Sequence, residues 1–218
     1  RDTTSKYIDA VRVTWVSVLV NLGLAAGKVL VGYLGQSRAL IADGLHSLTD
    51  LSSDFAILVG IRFATAPPDA EHPHGHFKVT SLVSLFIATL ILLFCGVLVI
   101  DSFHALVSGQ AVAPHWPTLV VALGAAGLKE WLFHRTRAIA RQSHSRMILT
   151  NAWHHRTDAV TSIVAAVGIA ASIGLGPAWV FLDAAVGVLL GGYLAMEGIK
   201  LFFGAAQELM DAAPEQAV

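Results

Sequence analysis

The sequence predicts an all-α, polytopic membrane protein with six transmembrane helices. Three observations predict it. Of 218 residues, 55% are hydrophobic and only 13% are charged, where a soluble domain carries about a quarter charged residues; mean hydropathy is +0.67. The apolar residues gather into six segments, each near or above the ~20 residues that cross a bilayer. Turn and breaker residues separate these segments, and basic residues favour alternate loops.

The first span covers about 10–34 and is ended by Gly35-Gln36-Ser37. Its Gly23 and Gly27 form a G-x-x-x-G that allows close helix approach. Lys28 is expected to snorkel to the outer interface. The second span, about 38–66, stops at Ala66-Pro67-Pro68-Asp69. The third, about 78–107, is followed by Ser108-Gly109 and by Pro114 to Pro117, which lead into the fourth, about 117–141. The fifth, about 145–174, is the least apparent, because residues 150–158 are polar and need shielding inside a bundle. The sixth, about 178–206, follows Gly174, Gly176 and Pro177 and carries a second G-x-x-x-G at Gly187 and Gly191. Asp183 and Glu197 on that span are isolated, so internal hydrogen bonding is expected.

Lys and Arg cluster at the amino terminus, in the second loop (Arg62, Lys78) and in the fourth (Arg135, Arg137, Arg141, Arg146). The positive-inside rule then puts both termini in the cytoplasm. Trp116 and Trp179 fall at the outer interface, where indoles prefer to sit. Residues 1–208 are expected to form one transmembrane domain, and 209–218 to begin a cytoplasmic linker. A net charge of −1 without a basic run gives no reason to expect nucleic acid. A single cysteine, Cys95, excludes an intrachain disulfide and a cysteine-rich metal site. Ten histidines leave imidazole and carboxylate as the available ligands.

One motif occurs twice. Residues 46–50 read His-Ser-Leu-Thr-Asp, and 154–158 read His-His-Arg-Thr-Asp. In each H-x-x-x-D the His and Asp stand one helical turn apart, within about 40° of each other. Ionisable groups in a membrane span are costly and mark functional sites. Alternating topology makes the two spans antiparallel and brings the pairs to similar depth. His46, Asp50, His154 and Asp158 together supply two nitrogens and two carboxylates, enough for a four-coordinate cation. That donor set suits Zn²⁺, and also Cd²⁺, Co²⁺ or Fe²⁺. The bland alternative is two internal His–Asp hydrogen bonds acting as helix-to-helix glue. Asp43 and Asp54 continue the stripe on the second span and Asn151 on the fifth, as cavity-lining or accessory residues. Arg156 is assigned to a carboxylate, Asp54 being one partner. Metal-binding imidazole must be neutral, so metal and protons compete for the same groups. An unperturbed His titrates near ~6.5, which makes such exchange accessible at working pH.

The stretches Ala42-Asp-Gly-Leu-His-Ser-Leu-Thr-Asp50, His72-Pro-His-Gly-His-Phe-Lys78, Asn151-Ala-Trp-His-His-Arg-Thr-Asp158 and Glu208-Leu-Met-Asp211 resemble the cation diffusion facilitator family of divalent-metal transporters. The resemblance implies export of metal from the cytoplasm in exchange for protons, alternating access and a homodimer. It places the transport site on His46, Asp50, His154 and Asp158. His at both motif starts resembles zinc-type members more than the carboxylate-rich manganese-type ones, so Zn²⁺ is the expected substrate, with Fe²⁺ or Mn²⁺ as the alternative. The resemblance also singles out Asp69, His72 and His76 as a second, cytoplasmic loop site, against the reading of a merely polar loop. A salt bridge between Lys78 and Asp211 would tie the cytoplasmic face. Many members carry a soluble C-terminal domain, which this chain is expected to lack. No enzymatic activity is expected: there is no H-E-x-x-H, and four protein ligands leave no open position for an activated water. A metal sensor or non-transporting partner subunit is the remaining alternative.

Overall fold

The computed structural model describes Leu19 and residues 21–64, 78–143 and 146–210, with backbone alone at 52–64, 78, 80, 142–143, 146–148 and 151. Six helices account for nearly all of it: α1 (Asn21–Leu34), α2 (Arg38–Ala64), α3 (Lys78–Val107), α4 (Trp116–Ser143), α5 (Arg146–Gly174) and α6 (Phe181–Leu209). No strand occurs among the described residues. The protein is an all-α, polytopic membrane protein. Among the described residues, three stretches are long and apolar enough to cross a bilayer: Ser81–Val107, Ala152–Gly174 and Pro177–Leu209. The fifth span, expected to be the least apparent, is the least apolar of these three.

Helices pack as neighbours along the chain and across it. α3 lies along α6, α4 lies along α5, and α2 contacts α3, α5 and α6. This puts α2 and α5, the carriers of the two motifs, side by side. The lipid face is plain on α3, where Leu82, Phe86, Leu93, Val97 and Ile100 are all exposed at helical spacing. In water such a stripe would be a liability; in lipid it is solvated. The interior is built from small residues around a few large ones: Ala39, Leu40, Ala42, Ala122, Ala165, Ala166 and Ile169. Small side chains let helix backbones approach where no hydrophobic drive operates.

The glycines divide on this point. A Cβ on Gly191 would come within 2.9 Å of Val99 on α3, and one on Gly187 within 2.8 Å of the Arg38 Cβ. The motif on α6 thus packs closely, as expected. The motif on α1 does not: nothing described lies within 4 Å of a Cβ at Gly23 or Gly27. Close approach of α1 to α2 is made instead by Gly44, whose Cβ would meet Val29 Cγ2 at 2.7 Å and the Val29 nitrogen at 2.9 Å.

The end of the bundle carrying the α1–α2, α3–α4 and α5–α6 loops is closed by polar contacts. Asp183 accepts hydrogen bonds from the Ser37 hydroxyl (2.6 Å) and the Arg38 backbone nitrogen (2.7 Å), so it caps the start of α2. The internal hydrogen bonding expected of Asp183 is present. Arg38 Nε also pairs with Asp101 at 2.7 Å. The His115 nitrogen donates to the Gly35 carbonyl, joining two loops. Gly176 has φ 91°, a conformation glycine adopts without strain, and turns the chain into the short Pro177–Trp179 helix ahead of α6.

Candidate metal centre

Each motif lies inside its helix and not at an end. His46 and Asp50 stand about 12 and 18 Å along α2, and His154 and Asp158 stand as far along α5, by the 1.5 Å rise per residue. The helices run antiparallel, so the two pairs meet near mid-bundle. The His154 Nε2 lies 3.5 Å from Asp50 Oδ1 and 3.8 Å from Asp158 Oδ1. The His46 Nε2 lies 3.7 Å from Asp158 Oδ1. The His154–Asp50 contact is at the outer limit of a hydrogen bond, and the other two are longer than one. All three are close to the edge of a coordination tetrahedron, about 3.3–3.4 Å when ligands sit about 2.0–2.1 Å from the metal. His46, Asp50 and Asp158 each offer a ligand atom within 4.8 Å of one another. His154 stands outside this tight group, near both carboxylates on the exposed side, its side chain 47% accessible.

Both nitrogens of His46, Asp50 Oδ2 and Asp158 Oδ1 are buried without a hydrogen-bond partner. Buried polar atoms normally have one. Helix-to-helix glue would use these atoms; here they converge without bonding. A cavity of about 410 Å³ adjoins them, lined by His46, Asp50, His154, Thr157, Tyr193 and Glu197 among others. It runs toward the end of the bundle where α2 and α6 finish and α5 begins. The Glu197 carboxylate also accepts a hydrogen bond from Lys200 at 2.8 Å.

Two buried lysines flank this centre. Lys28 does not snorkel. It is fully buried and pairs with Asp43 Oδ2 at 2.7 Å, donating also to Ser162 (2.9 Å) and Ser47 (3.2 Å). Asp43 accepts further bonds from Ser162 (2.8 Å) and Thr161 (3.1 Å). Asp43 therefore ties α1, α2 and α5 together one turn beyond His46, and it does not line the cavity. Lys129, which the sequence reading passed over, donates to Asp158 Oδ2 at 2.6 Å and is 1% exposed. A lysine about 20 Å into a membrane helix, after an apolar first half, was the signal for it. His155 is buried one turn before Asp158, its ring nitrogens also without partners. Arg156 stacks over Phe133 (4.9 Å) and Trp153 (5.6 Å).

The side chains of Asp54, Asn151 and Lys78 lie outside what is described, as do Asp69, His72, His76 and Asp211 altogether.

A family model described as the cation efflux transmembrane domain matches residues 14–210. The chain belongs to the cation diffusion facilitator family. Mitochondrial metal transporter 2 of Saccharomyces cerevisiae is 32% identical over 92% of this chain and 46% of its own length. Magnetosome protein MamM of Magnetospirillum gryphiswaldense is 31% identical over 94% of this chain and 64% of its own. Manganese efflux system protein MneS of Bacillus subtilis is 35% identical over 72% of this chain and 54% of its own. The chain thus spans roughly half to two thirds of the length of these facilitator relatives.

Proposed function

We propose that this protein is a secondary transporter that moves a divalent transition-metal cation out of the cytoplasm in exchange for protons. His46, Asp50, His154 and Asp158 are its transport ligands. The observation that carries the reading is the convergence of His46, Asp50 and Asp158 from two antiparallel helices, with unpartnered buried atoms among them and His154 within 3.5–3.8 Å of both carboxylates. Family membership supports it independently.

The chemistry follows from the donors. Two imidazoles and two carboxylates neutralise a divalent cation and match the borderline character of Zn²⁺. Each imidazole must be neutral to bind, so metal entry releases protons and proton entry favours metal release. The cavity reaches the ligands from the end of the bundle assigned to the cytoplasm by its basic loops. The polar contacts of Asp43 and Asp183 close the opposite end. We read this as the inward-facing arrangement of an alternating-access cycle, with the outward step requiring those contacts to part. We place a second metal site on Asp69, His72 and His76, a tie between Lys78 and Asp211, and a second copy of the chain beside this one.

A second substrate reading has its own support: one relative is named a manganese efflux protein. Competition among Zn²⁺, Mn²⁺ and Fe²⁺ in one flux assay decides between them. The test of the function is metal-dependent proton flux in proteoliposomes. Wild-type protein should couple the two flows, and folded Asp50→Ala and Asp158→Ala should lose both. Undiminished zinc transport in either variant overturns the assignment.

A further inference from the structure

We propose that Lys129 sets the affinity of the metal site, holding Asp158 to a single ligand oxygen and weakening cation binding enough for release. The inference rests on the reading of His46, Asp50, His154 and Asp158 as metal ligands.

The geometry divides the Asp158 carboxylate in two. Its Oδ2 accepts from the Lys129 ammonium at 2.6 Å. Its Oδ1 faces His46 at 3.7 Å and His154 at 3.8 Å and has no hydrogen bond. One oxygen is therefore committed to α4 and the other to the site. A metal on Oδ1 finds Asp158 monodentate, with its orientation already fixed by Lys129. A carboxylate free of that contact could turn both oxygens to the metal.

Charge points the same way. The two ligand carboxylates would present two negative charges to a divalent cation. Lys129 offsets one of them from just behind the ligand, where burial excludes the water that would screen it. The cation is thus bound against a fixed positive charge one carboxylate away. A resident site would gain from removing that charge. A transport site must also let go, and tighter binding by itself slows release.

A lysine that only joined α4 to α5 would have no bearing on metal affinity. The two roles separate experimentally. Zn²⁺ binding and Zn²⁺ flux are measured for the whole chain in lipid, for wild type, Lys129→Met, Lys129→Gln and Lys129→Arg. The uncharged variants should bind Zn²⁺ at least about tenfold more tightly, with both KM and maximal flux lowered. The Arg variant, which keeps the charge, should return toward wild type. If the Met variant fails to fold, the Gln variant, which can still hydrogen-bond Asp158, carries the same expectation. Unchanged or weaker Zn²⁺ affinity in a folded uncharged variant overturns the proposal. Asp158→Asn serves as the reference. If it binds Zn²⁺ like wild type, the metal-site reading itself has failed. If it loses Zn²⁺ while Lys129→Met keeps wild-type affinity, only the role of Lys129 has failed.

Discussion

The pair of Lys28 and Asp43 gives the sharpest stability prediction. Both side chains are fully buried, 2.7 Å apart, between α1 and α2. At an effective dielectric of ~20 their attraction is about 6 kcal/mol. Desolvation of two ions offsets much of that, so the pair as a whole contributes little net stability. Removing one partner is different, because the other charge stays buried alone. Asp43→Asn keeps the shape and an acceptor for Ser162 or Thr161, yet leaves the Lys28 ammonium without a counter-charge. Lys28→Met leaves the Asp43 carboxylate with only its two hydroxyl donors. Each single change should destabilise by about 3–5 kcal/mol. The double change leaves no charge. Ser47 and Thr161 still donate to backbone carbonyls of Asp43 and Asp158, at 3.2 and 2.9 Å. Its loss should therefore stay near the ~1–2 kcal/mol of an imperfectly satisfied hydroxyl. The coupling energy is then at least about 4 kcal/mol, well above that of independent sites. Reversible unfolding in mixed micelles with increasing SDS measures all four proteins. Losses below about 1 kcal/mol in either single variant, or a double variant no better than the sum of the singles, would refute the reasoning.

Gly44→Ala should destabilise by about 1–3 kcal/mol, because the new methyl meets the Val29 backbone as well as its side chain. Gly124→Ala, with nothing described within 4 Å of its Cβ, should be neutral or gain up to about 1 kcal/mol from helix propensity; thermal melting of the two variants checks the contrast. Zn²⁺ binding should release protons, so apparent affinity should weaken as pH falls. Calorimetry in buffers of different ionisation enthalpy reads the proton count, and equal affinity at pH 6 and pH 7.5 would contradict imidazole ligation.

The frame and the paired motifs were legible in the sequence, because each rests on spacing along one helix. Six apolar segments define six helices, and H-x-x-x-D fixes which side chains share a face. The partners of the two lysines were not legible, because they depend on register between helices. Lys28 is seven residues from Gly35, about 10 Å by helical rise, which a long side chain can reach. Side chains lean toward a helix's N-terminus, however. That directs Lys28 away from the nearby loop and toward Asp43, which lies across the α1–α2 hairpin. Once Asp43 is engaged there, its place on the same stripe as His46 and Asp50 no longer makes it part of the cavity. Lys129 is the opposite case. It lies too deep to snorkel from either end of α4, so its need for a buried carboxylate could be read from position alone. Only the fold says that the carboxylate is Asp158.

The central claim is a four-donor site made of two imidazoles and two carboxylates. X-ray absorption at the zinc edge tests it most directly, on Zn²⁺-loaded protein carrying His72→Ala and His76→Ala so that the loop contributes no signal. The account predicts four nitrogen or oxygen ligands at about 2.0–2.1 Å, two of them imidazoles, with one imidazole lost in His46→Ala or His154→Ala. A sulfur ligand at about 2.3 Å, or an imidazole count that neither substitution changes, would contradict it.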